Sequence, residues 1–131
     1  MLEKIIEPRF NESDALGHIN NAVFLTWCEH ARVPLFKIFT PDLDTKKWEL
    51  IIARNEIDYL KEVSPTSNVL IKTFLSKIGN SSMTVEHELF QNDAKVAHCK
   101  TAMIHFDFTN KKAIPIDAKQ RAALEQHLIS K

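Results

Sequence analysis

The segment Asp14-Ala15-Leu16-Gly17-His18-Ile19-Asn20-Asn21 concentrates side chains that can do chemistry. It places a carboxylate, a glycine, an imidazole and two amides just before a long apolar stretch. If a helix begins near Asn21, its first N–H groups are unpaired and lie at the positive end of the helix dipole. Such groups stabilise the oxyanion formed when a carbonyl is attacked, by about 2.7–4 kcal/mol per donor. Asp14 can then attack that carbonyl or activate water.

The same residues also fit a purely structural role. Gly17 lets the loop turn back so that Asp14 faces the helix start. Asn20 or Asn21 can cap the helix by accepting a hydrogen bond from a free backbone N–H. A loop carboxylate and two amides at a helix start are also typical of an ordinary loop and cap, so spacing alone leaves both interpretations open.

The apolar stretch predicts a buried helix from Asn21 to about Phe39. Twelve of these 19 residues are apolar without counting Pro34, and the polar ones are only Asn21, Thr26, Glu29, His30, Arg32 and Lys37. A surface helix would keep a wider polar face. Pro34 lacks a backbone donor and crowds the preceding turn, so we expect a kink or an end near Val33.

The rest of the chain predicts strands and a final helix. Alternating or β-branched stretches indicate strands at Lys4–Phe10, Ile51–Tyr59, Val69–Ile78, Ser82–Phe90 and Val96–Phe108. Gly79-Asn80-Ser81 indicates a hairpin turn. Asp117 and Gln120 are spaced as a capping box, with Leu124 and Leu128 on one face of the helix that follows. We therefore expect an α+β fold, an antiparallel sheet wrapped around a long buried central helix, plus a short C-terminal helix.

Composition narrows the function classes. The 131 residues predict one domain over 1–131. Seventeen basic and 17 acidic residues cancel, which argues against a nucleic-acid partner and permits self-association. The six histidines show no metal-ligand spacing, so we expect no metal. We also expect no membrane segment, and free thiols at Cys28 and Cys99 in a cytoplasmic protein.

The motif D-x-x-G-H-x-N-N at positions 14–21 resembles the signature of the 4-hydroxybenzoyl-CoA thioesterase-like family. The resemblance spans nearly the whole chain, through Phe10–Arg32, Arg54–Leu60, Lys77–Ser82 and Phe106–Thr109. It implies the hotdog fold and hydrolysis of acyl-CoA or acyl-carrier-protein thioesters without a metal or an organic cofactor. It also implies a homodimer or homotetramer with sites where subunits meet.

The resemblance assigns roles residue by residue. Asp14 becomes the nucleophile or general base, Asn21 the oxyanion donor, and His18 a residue that orients the loop or contacts the carbonyl. Further expected substrate-binding residues are Gly17, Asn20, Phe24, Tyr59, Lys77, Ser81 and Ser82. The last three match the region where the family holds the nucleotide or pantetheine of CoA, although an ordinary solvated turn fits them equally.

Two other functions fit the same fold. A protein that binds acyl-CoA without turnover would not need the loop carboxylate facing an anionic ligand. A hotdog hydratase also pairs an acid with a histidine, but the Asn-Pro that hydratases place between the two is missing here. Outside the motif, His87 and Cys28 are expected to be core residues, and Glu56 and Asp58 to lie on a solvated strand face.

Overall fold

A computed structural model describes residues 1–129. Its strands are β1 (Leu2–Ile6), β2 (Leu50–Tyr59), β3 (Val69–Ile78), β4 (Ser82–Gln91), β5 (Ala94–Asp107) and β6 (Lys112–Ala113). Its helices are α1 (Asn21–Ala31), α2 (Val33–Phe39) and α3 (Ala118–Glu125), with 3-10 turns at Phe10–Glu12 and Thr45–Lys47. Among these residues, no helix has the length and apolar character that crossing a membrane requires.

The strands form one antiparallel sheet in the order β1-β3-β4-β5-β2, with the short β6 paired to β5. The predicted hairpin is confirmed as β3 and β4. Extra residues at Ala53, Ser76 and Val96 shift the register of the sheet in three places. Such bulges bend a strand and increase its twist, so the sheet curls. The expected α+β class is confirmed.

The predicted long helix is two helices. α1 ends at Ala31 and α2 begins at Val33, with Pro34 in its first turn. The break lies where Pro34 was expected to place it, because proline is tolerated at a helix start but not in its interior. Only one face of α1 is buried, so the expectation of a mostly buried helix was too broad. Arg32, counted among the polar positions, is only 2% exposed.

Two apolar clusters make up the core, and buried polar groups lie between them. One cluster contains Phe24 and Trp27 of α1, and the other contains Leu35 of α2 and Leu75 of β3. His87 is fully buried, as expected, and burial is the main cause that lowers its pKa to about 3. Cys28 and Cys99 are free and buried, which confirms Cys28 as a core residue.

The C-terminal helix begins as predicted and ends earlier. The Gln120 N–H donates to Asp117 Oδ1 over 2.7 Å, and the Asp117 N–H donates to Gln120 Oε1 over 3.1 Å, which completes the capping box. Leu124 is fully buried, but Leu128 lies beyond the end of α3 and is 40% exposed. Its expected place on the helix face was wrong, because the chain turns there and pairs with Leu75 at the edge of β3.

Candidate active site

The Asp14 side chain is held by its own loop. Its Oδ1 atom accepts hydrogen bonds from the N–H of Leu16 (2.8 Å) and of His18 (3.3 Å). The Asp14 N–H donates to the His18 carbonyl over 2.7 Å. Among residues 1–129, Oδ2 has no hydrogen-bond partner. One oxygen therefore fixes the carboxylate and the other remains available for a ligand.

Gly17 makes the return of this loop possible. Its φ is +81°, in the left-handed region that side chains with a Cβ rarely adopt. Its N–H donates to the Asp14 carbonyl over 3.1 Å. The structure thus has the turn expected at Gly17, and the turn brings Asp14 back toward the start of α1.

The first turn of α1 leaves one N–H group free. Asn20 is the cap, since its Oδ1 accepts from the N–H of Ala22 over 2.9 Å and its carbonyl accepts from Val23 over 3.0 Å. The N–H of Asn21, the first helical residue, has no hydrogen-bond partner within the described chain. An unpaired N–H at a helix start attracts an anionic or carbonyl oxygen.

A cleft of about 370 Å³ connects these groups. Five of the predicted site residues line it: Asp14, His18, Asn21, Phe24 and Tyr59. Gly17 and Asn20 belong to the loop and cap that shape it. The loop before α1 and the end of β2 therefore bring together an acid, an imidazole, a free N–H and two aromatic rings.

Aromatic rings form the wall of the cleft next to α1. The Phe24 ring lies 5.3 Å from Tyr59 and 5.6 Å from Trp27, measured between centroids. The Tyr59 hydroxyl donates to the Asn21 carbonyl over 3.0 Å, and burial is the main cause that raises the pKa of Tyr59. The end of β2 is thereby fixed to the first turn of α1.

The sequence of most of the chain matches one known protein family. A model of the thioesterase-like superfamily matches residues 8–124, which include the Asp14 loop, both central helices and all of β2 to β5. The chain belongs to the thioesterase-like superfamily. The expected thioester hydrolase is confirmed at the level of this family.

Two solved structures resemble this thioesterase-like chain over at least 94% of its length, and one relative matches a shorter part. A predicted thioesterase from Bacillus stearothermophilus is 35% identical with a TM-score of 0.97, covering 99% of this chain and 98% of that one. A thioesterase from Thermus thermophilus, complexed with coenzyme A and Zn, is 28% identical with a TM-score of 0.84, covering 94% and 96%. The uncharacterized protein YsmA of Bacillus subtilis is 32% identical over 87 residues, which are 66% of this chain and 58% of that protein.

Three predicted site residues of this thioesterase-like chain lie elsewhere. Lys77, Ser81 and Ser82 are at the β3–β4 turn, and Ser82 pairs with Ile104 of β5. Tyr59, at the cleft, pairs with Ala97, seven residues away on β5. At about 3.3 Å per residue the two places are about 23 Å apart along the sheet. Within one chain these residues do not join the cleft, because β4 and β5 span the length between them.

The sequence did not indicate a buried carboxylate that contacts the Asp14 loop and α1. Glu12, 8% exposed, accepts hydrogen bonds from Trp27 Nε1 over 3.1 Å and from the N–H of Arg9 over 2.7 Å. Its carbonyl accepts from the N–H of Asn20 over 2.9 Å. The Glu12 side chain therefore connects the segment before Asp14 to α1, and its carbonyl binds the residue that caps α1 after Asp14. Its partner Trp27 is 15 residues away, so no local pattern indicates the pair.

The cleft also contains two charged residues that the motif did not indicate. Lys61 and Glu62 follow β2 and line the wall opposite the Asp14 loop. His18 Nε2 lies 3.0 Å from Glu62 Oε2, so the imidazole is held between its loop and this carboxylate. Within residues 1–129, no group of three His, Cys, Asp or Glu side chains is arranged to hold a metal ion.

Proposed function

We propose that the protein hydrolyses acyl-CoA thioesters to a carboxylic acid and CoA. One observation carries this proposal: Asp14, which has one carboxylate oxygen without a hydrogen bond among residues 1–129, and Asn21, whose N–H is unpaired there, line the same cleft. A carboxylate and a bare helix N–H are the two groups that acyl transfer to water needs, one to supply the nucleophile and one to stabilise the oxyanion.

The chemistry follows from the positions of these two groups. The thioester carbonyl oxygen accepts a hydrogen bond from the Asn21 N–H, and Asp14 Oδ2 removes a proton from an attacking water. The resulting tetrahedral oxyanion is stabilised by the helix N-terminus. When it collapses, the C–S bond breaks, the carboxylic acid forms, and the thiolate of CoA takes up the proton that Asp14 removed from water, which regenerates the Asp14 carboxylate. In the alternative route, Asp14 attacks the carbonyl itself, the C–S bond breaks with departure of CoA as a thiolate, and water then hydrolyses the mixed anhydride to release the acid and free Asp14.

The remaining residues of the cleft position the reacting groups. Glu62 and the loop backbone orient His18 beside the carbonyl, and Gly17 gives Asp14 its direction. Phe24 and Tyr59 supply an apolar wall for the acyl group, and Asn20 holds the first turn of α1 in place. Lys61 lies at the cleft and is suited to an anionic part of CoA.

The substrate class rests on the family and on one structural relative. The thioesterase from Thermus thermophilus is complexed with coenzyme A. Lys77, Ser81 and Ser82 lie at the other end of the sheet, so their predicted contact with CoA requires a second copy of the chain. We therefore include a homodimer, or a homotetramer of two dimers, in the proposal, in the reducing cytoplasm that the two free cysteines fit.

A panel of aliphatic and aromatic acyl-CoAs tests this function. Release of free thiol is followed with a thiol reagent, while loss of the enoyl absorbance is followed in parallel with an enoyl-CoA. Hydrolysis predicts thiol release, whereas a hydratase predicts a change of the enoyl band without free thiol. Tight binding with no turnover across the panel would contradict the proposal and indicate an acyl-CoA-binding protein. If only acyl-carrier-protein thioesters are hydrolysed, the acyl donor is a carrier protein and the assignment of CoA is wrong.

A further inference from the structure

A bulge near the start of β5 brings Lys95 and His98 to the same face of the sheet. In a regular strand, residues three apart point to opposite faces, because successive side chains alternate. Here Val96 is an extra residue relative to β4. Val96 and Ala97 are consecutive, yet both belong to the core cluster packed on α1. Lys95 and His98, on either side of them, therefore both lie on the face away from α1.

These two side chains bind each other and two carboxylates of β4. Lys95 Nζ lies 2.8 Å from His98 Nδ1 and donates to Glu88 Oε2 over 2.9 Å. His98 Nε2 lies 2.7 Å from Glu86 Oε1. An ammonium only donates hydrogen bonds, so His98 Nδ1 is unprotonated and accepts, and His98 Nε2 carries the proton that goes to Glu86. Glu86, Glu88, Lys95 and His98 together form what we call the bulge clamp.

Burial distinguishes the bulge clamp from an ordinary surface ion pair. Exposed pairs contribute little, because water screens them and long side chains lose freedom when they are held. The side chains of Glu86 and His98 are only 6% and 15% exposed. Hydrogen bonds to charged groups are also roughly twice as strong as those between neutral groups. The clamp therefore restrains the backbone of β5 on both sides of Val96.

The carbonyl of the bulge residue holds the segment that follows β2. The N–H groups of Leu60 and Lys61 donate to the Val96 carbonyl over 2.9 and 3.1 Å. The regular pairing of β2 with β5 ends just before, at Tyr59. Leu60, Lys61 and Glu62 all line the cleft. These two hydrogen bonds therefore direct the chain from the end of the sheet into the wall of the cleft.

Leu60 lies between the bulge clamp and the cleft. It lines the cleft and also lines a hollow of about 560 Å³ on the face away from α1, together with Lys95 and His98. Two residues further along, Glu62 Oε2 lies 3.0 Å from His18 Nε2. The wall that holds His18 is thus attached to the sheet at the bulge, within two residues of that contact.

We propose that Lys95 and His98 are positioning residues, which act on the cleft from the opposite face of the sheet. A bulge interrupts the hydrogen-bond ladder, so regular pairing with β4 does not fix the direction of the Val96 carbonyl. The bulge clamp supplies that restraint, the carbonyl holds the backbone of residues 60 and 61, and Glu62 then holds His18. The effect on hydrolysis rests on the proposed function, whereas the restraint on residues 60 and 61 does not.

Amide hydrogen exchange, followed by nuclear magnetic resonance, tests the bulge clamp without an activity assay. Lys95→Met keeps the aliphatic stem but removes the ammonium, so the N–H groups of Leu60 and Lys61 should exchange at least about tenfold faster than in wild type. Lys95→Arg still donates to two acceptors and should restore most of the protection. Lys100→Met is the matched control and should leave both amides unchanged, because Lys100 lines the same hollow on the same strand but lies beyond the bulge.

A distant amide separates this local effect from a general loss of stability. The N–H of Leu75 donates to the His127 carbonyl over 2.8 Å, at the edge of β3. In Lys95→Met its exchange should stay as in wild type. Unchanged exchange at Leu60 and Lys61, an equal rise at Leu75, or the same effect in Lys100→Met would each overturn the proposal.

Hydrolysis of acyl-CoA tests the link from the bulge clamp to the cleft. In Lys95→Met kcat should fall about tenfold while KM changes less, because a displaced wall misplaces His18 at the reacting carbonyl. In Glu62→Ala, which already lacks the contact with His18, adding Lys95→Met should lower kcat by less than about twofold. A full tenfold loss in that background would show that Lys95 does not act through Glu62. If wild type hydrolyses no acyl-CoA but the exchange results are as expected, the proposed function fails and the restraint by the clamp stands.

Discussion

The Tyr59 hydroxyl donates a hydrogen bond to the main-chain carbonyl of Asn21 over 3.0 Å. The carbonyl belongs to the residue whose N–H has no hydrogen-bond partner among residues 1–129 and is the proposed oxyanion donor. The last residue of β2 thus holds the first turn of α1, and the sheet edge and the helix start act as one unit at the cleft. Disturbing this bond should change the position of the Asn21 N–H without removing it.

Tyr59→Phe removes this hydrogen bond and should lower kcat several-fold, because the Asn21 N–H changes its position. It should also lower the free energy of unfolding by about 0.5–1.5 kcal/mol, the usual net value of one hydrogen bond. The ring contact with Phe24 remains, so KM should change less than kcat.

Tyr59 is the only tyrosine of the chain, so its ionisation can be followed directly by ultraviolet absorbance in wild type. Burial raises its pKa, and the absorbance should therefore titrate above the range of free tyrosine. Unchanged kcat in Tyr59→Phe would show that the bond does not position Asn21.

Gly17 allows a graded test of the Asp14 loop. Nothing lies within 4 Å of a Cβ built at this position, so a substitution there costs only backbone strain. Gly17→Asn, which tolerates positive φ, should retain more activity than Gly17→Ala, and Gly17→Val the least. For Gly17→Ala we expect a loss of about 1 kcal/mol in unfolding free energy. CoA release and urea denaturation measure the series. Equal activity of the asparagine and valine variants would contradict the role of positive φ.

The buried pair of Glu12 and Trp27 predicts a stability effect. Trp27→Phe removes the indole donor and leaves a buried carboxylate short of one hydrogen bond, which should cost about 1–3 kcal/mol. The same substitution at Trp48, the other tryptophan, is the matched control. Trp48 is half-buried and contacts Phe36 edge-on, without a hydrogen bond from its side chain among residues 1–129, so Trp48→Phe should cost less. Chemical denaturation measures both, and equal losses would show that the carboxylate does not depend on the indole.

His87 predicts how stability changes with pH. Burial and the Arg32 charge lower its pKa from 6.5 to about 3, so the unfolded chain binds a proton that the folded chain excludes. The contribution of neutral His87 to the free energy of unfolding is fully present above about pH 6.5. It is lost as the pH falls toward about 3, and the total loss is about 3–5 kcal/mol. His87→Gln has no titrating group and should show a flatter fall over this window. Unfolding free energies measured across it test this, and parallel curves for the two proteins would contradict it.

Local signals in the sequence predicted much of this fold. Pro34 placed the helix break within one or two residues, because its effect on the backbone needs no tertiary partner. The spacing of Asp117 and Gln120 predicted a capping box whose hydrogen bonds are all within one turn. The turn at Gly79 to Ser81 set the β3–β4 hairpin. In each case the cause and its effect lie within a few residues.

Long-range contacts explain what could not be predicted. The Arg32 side chain is buried because His87 and Thr101, more than 50 residues further along, supply its acceptors. The bulge at Ala53 interrupts the pairing of β2 with β5 between Ile52 and Arg54, and the alternating pattern of Ile51–Tyr59 did not indicate it. The cleft joins the loop around Asp14 to Glu62, and only the folded sheet brings these segments together. The motif predicted the chemistry at one wall of the cleft and gave no information about the other.

The most direct test of the account is hydrolysis and binding by Asp14→Asn. The substitution keeps the size of the side chain and its Oδ1 acceptor, but removes the base or nucleophile. We expect CoA release from a substrate of the wild type to fall by at least about 100-fold, while affinity for a non-hydrolysable thioether analogue changes little. Asp93→Asn, at an exposed turn outside the cleft, is the matched control and should hydrolyse like wild type. Equal rates for wild type and Asp14→Asn, with both proteins folded, would contradict the central claim that the Asp14 carboxylate drives the reaction.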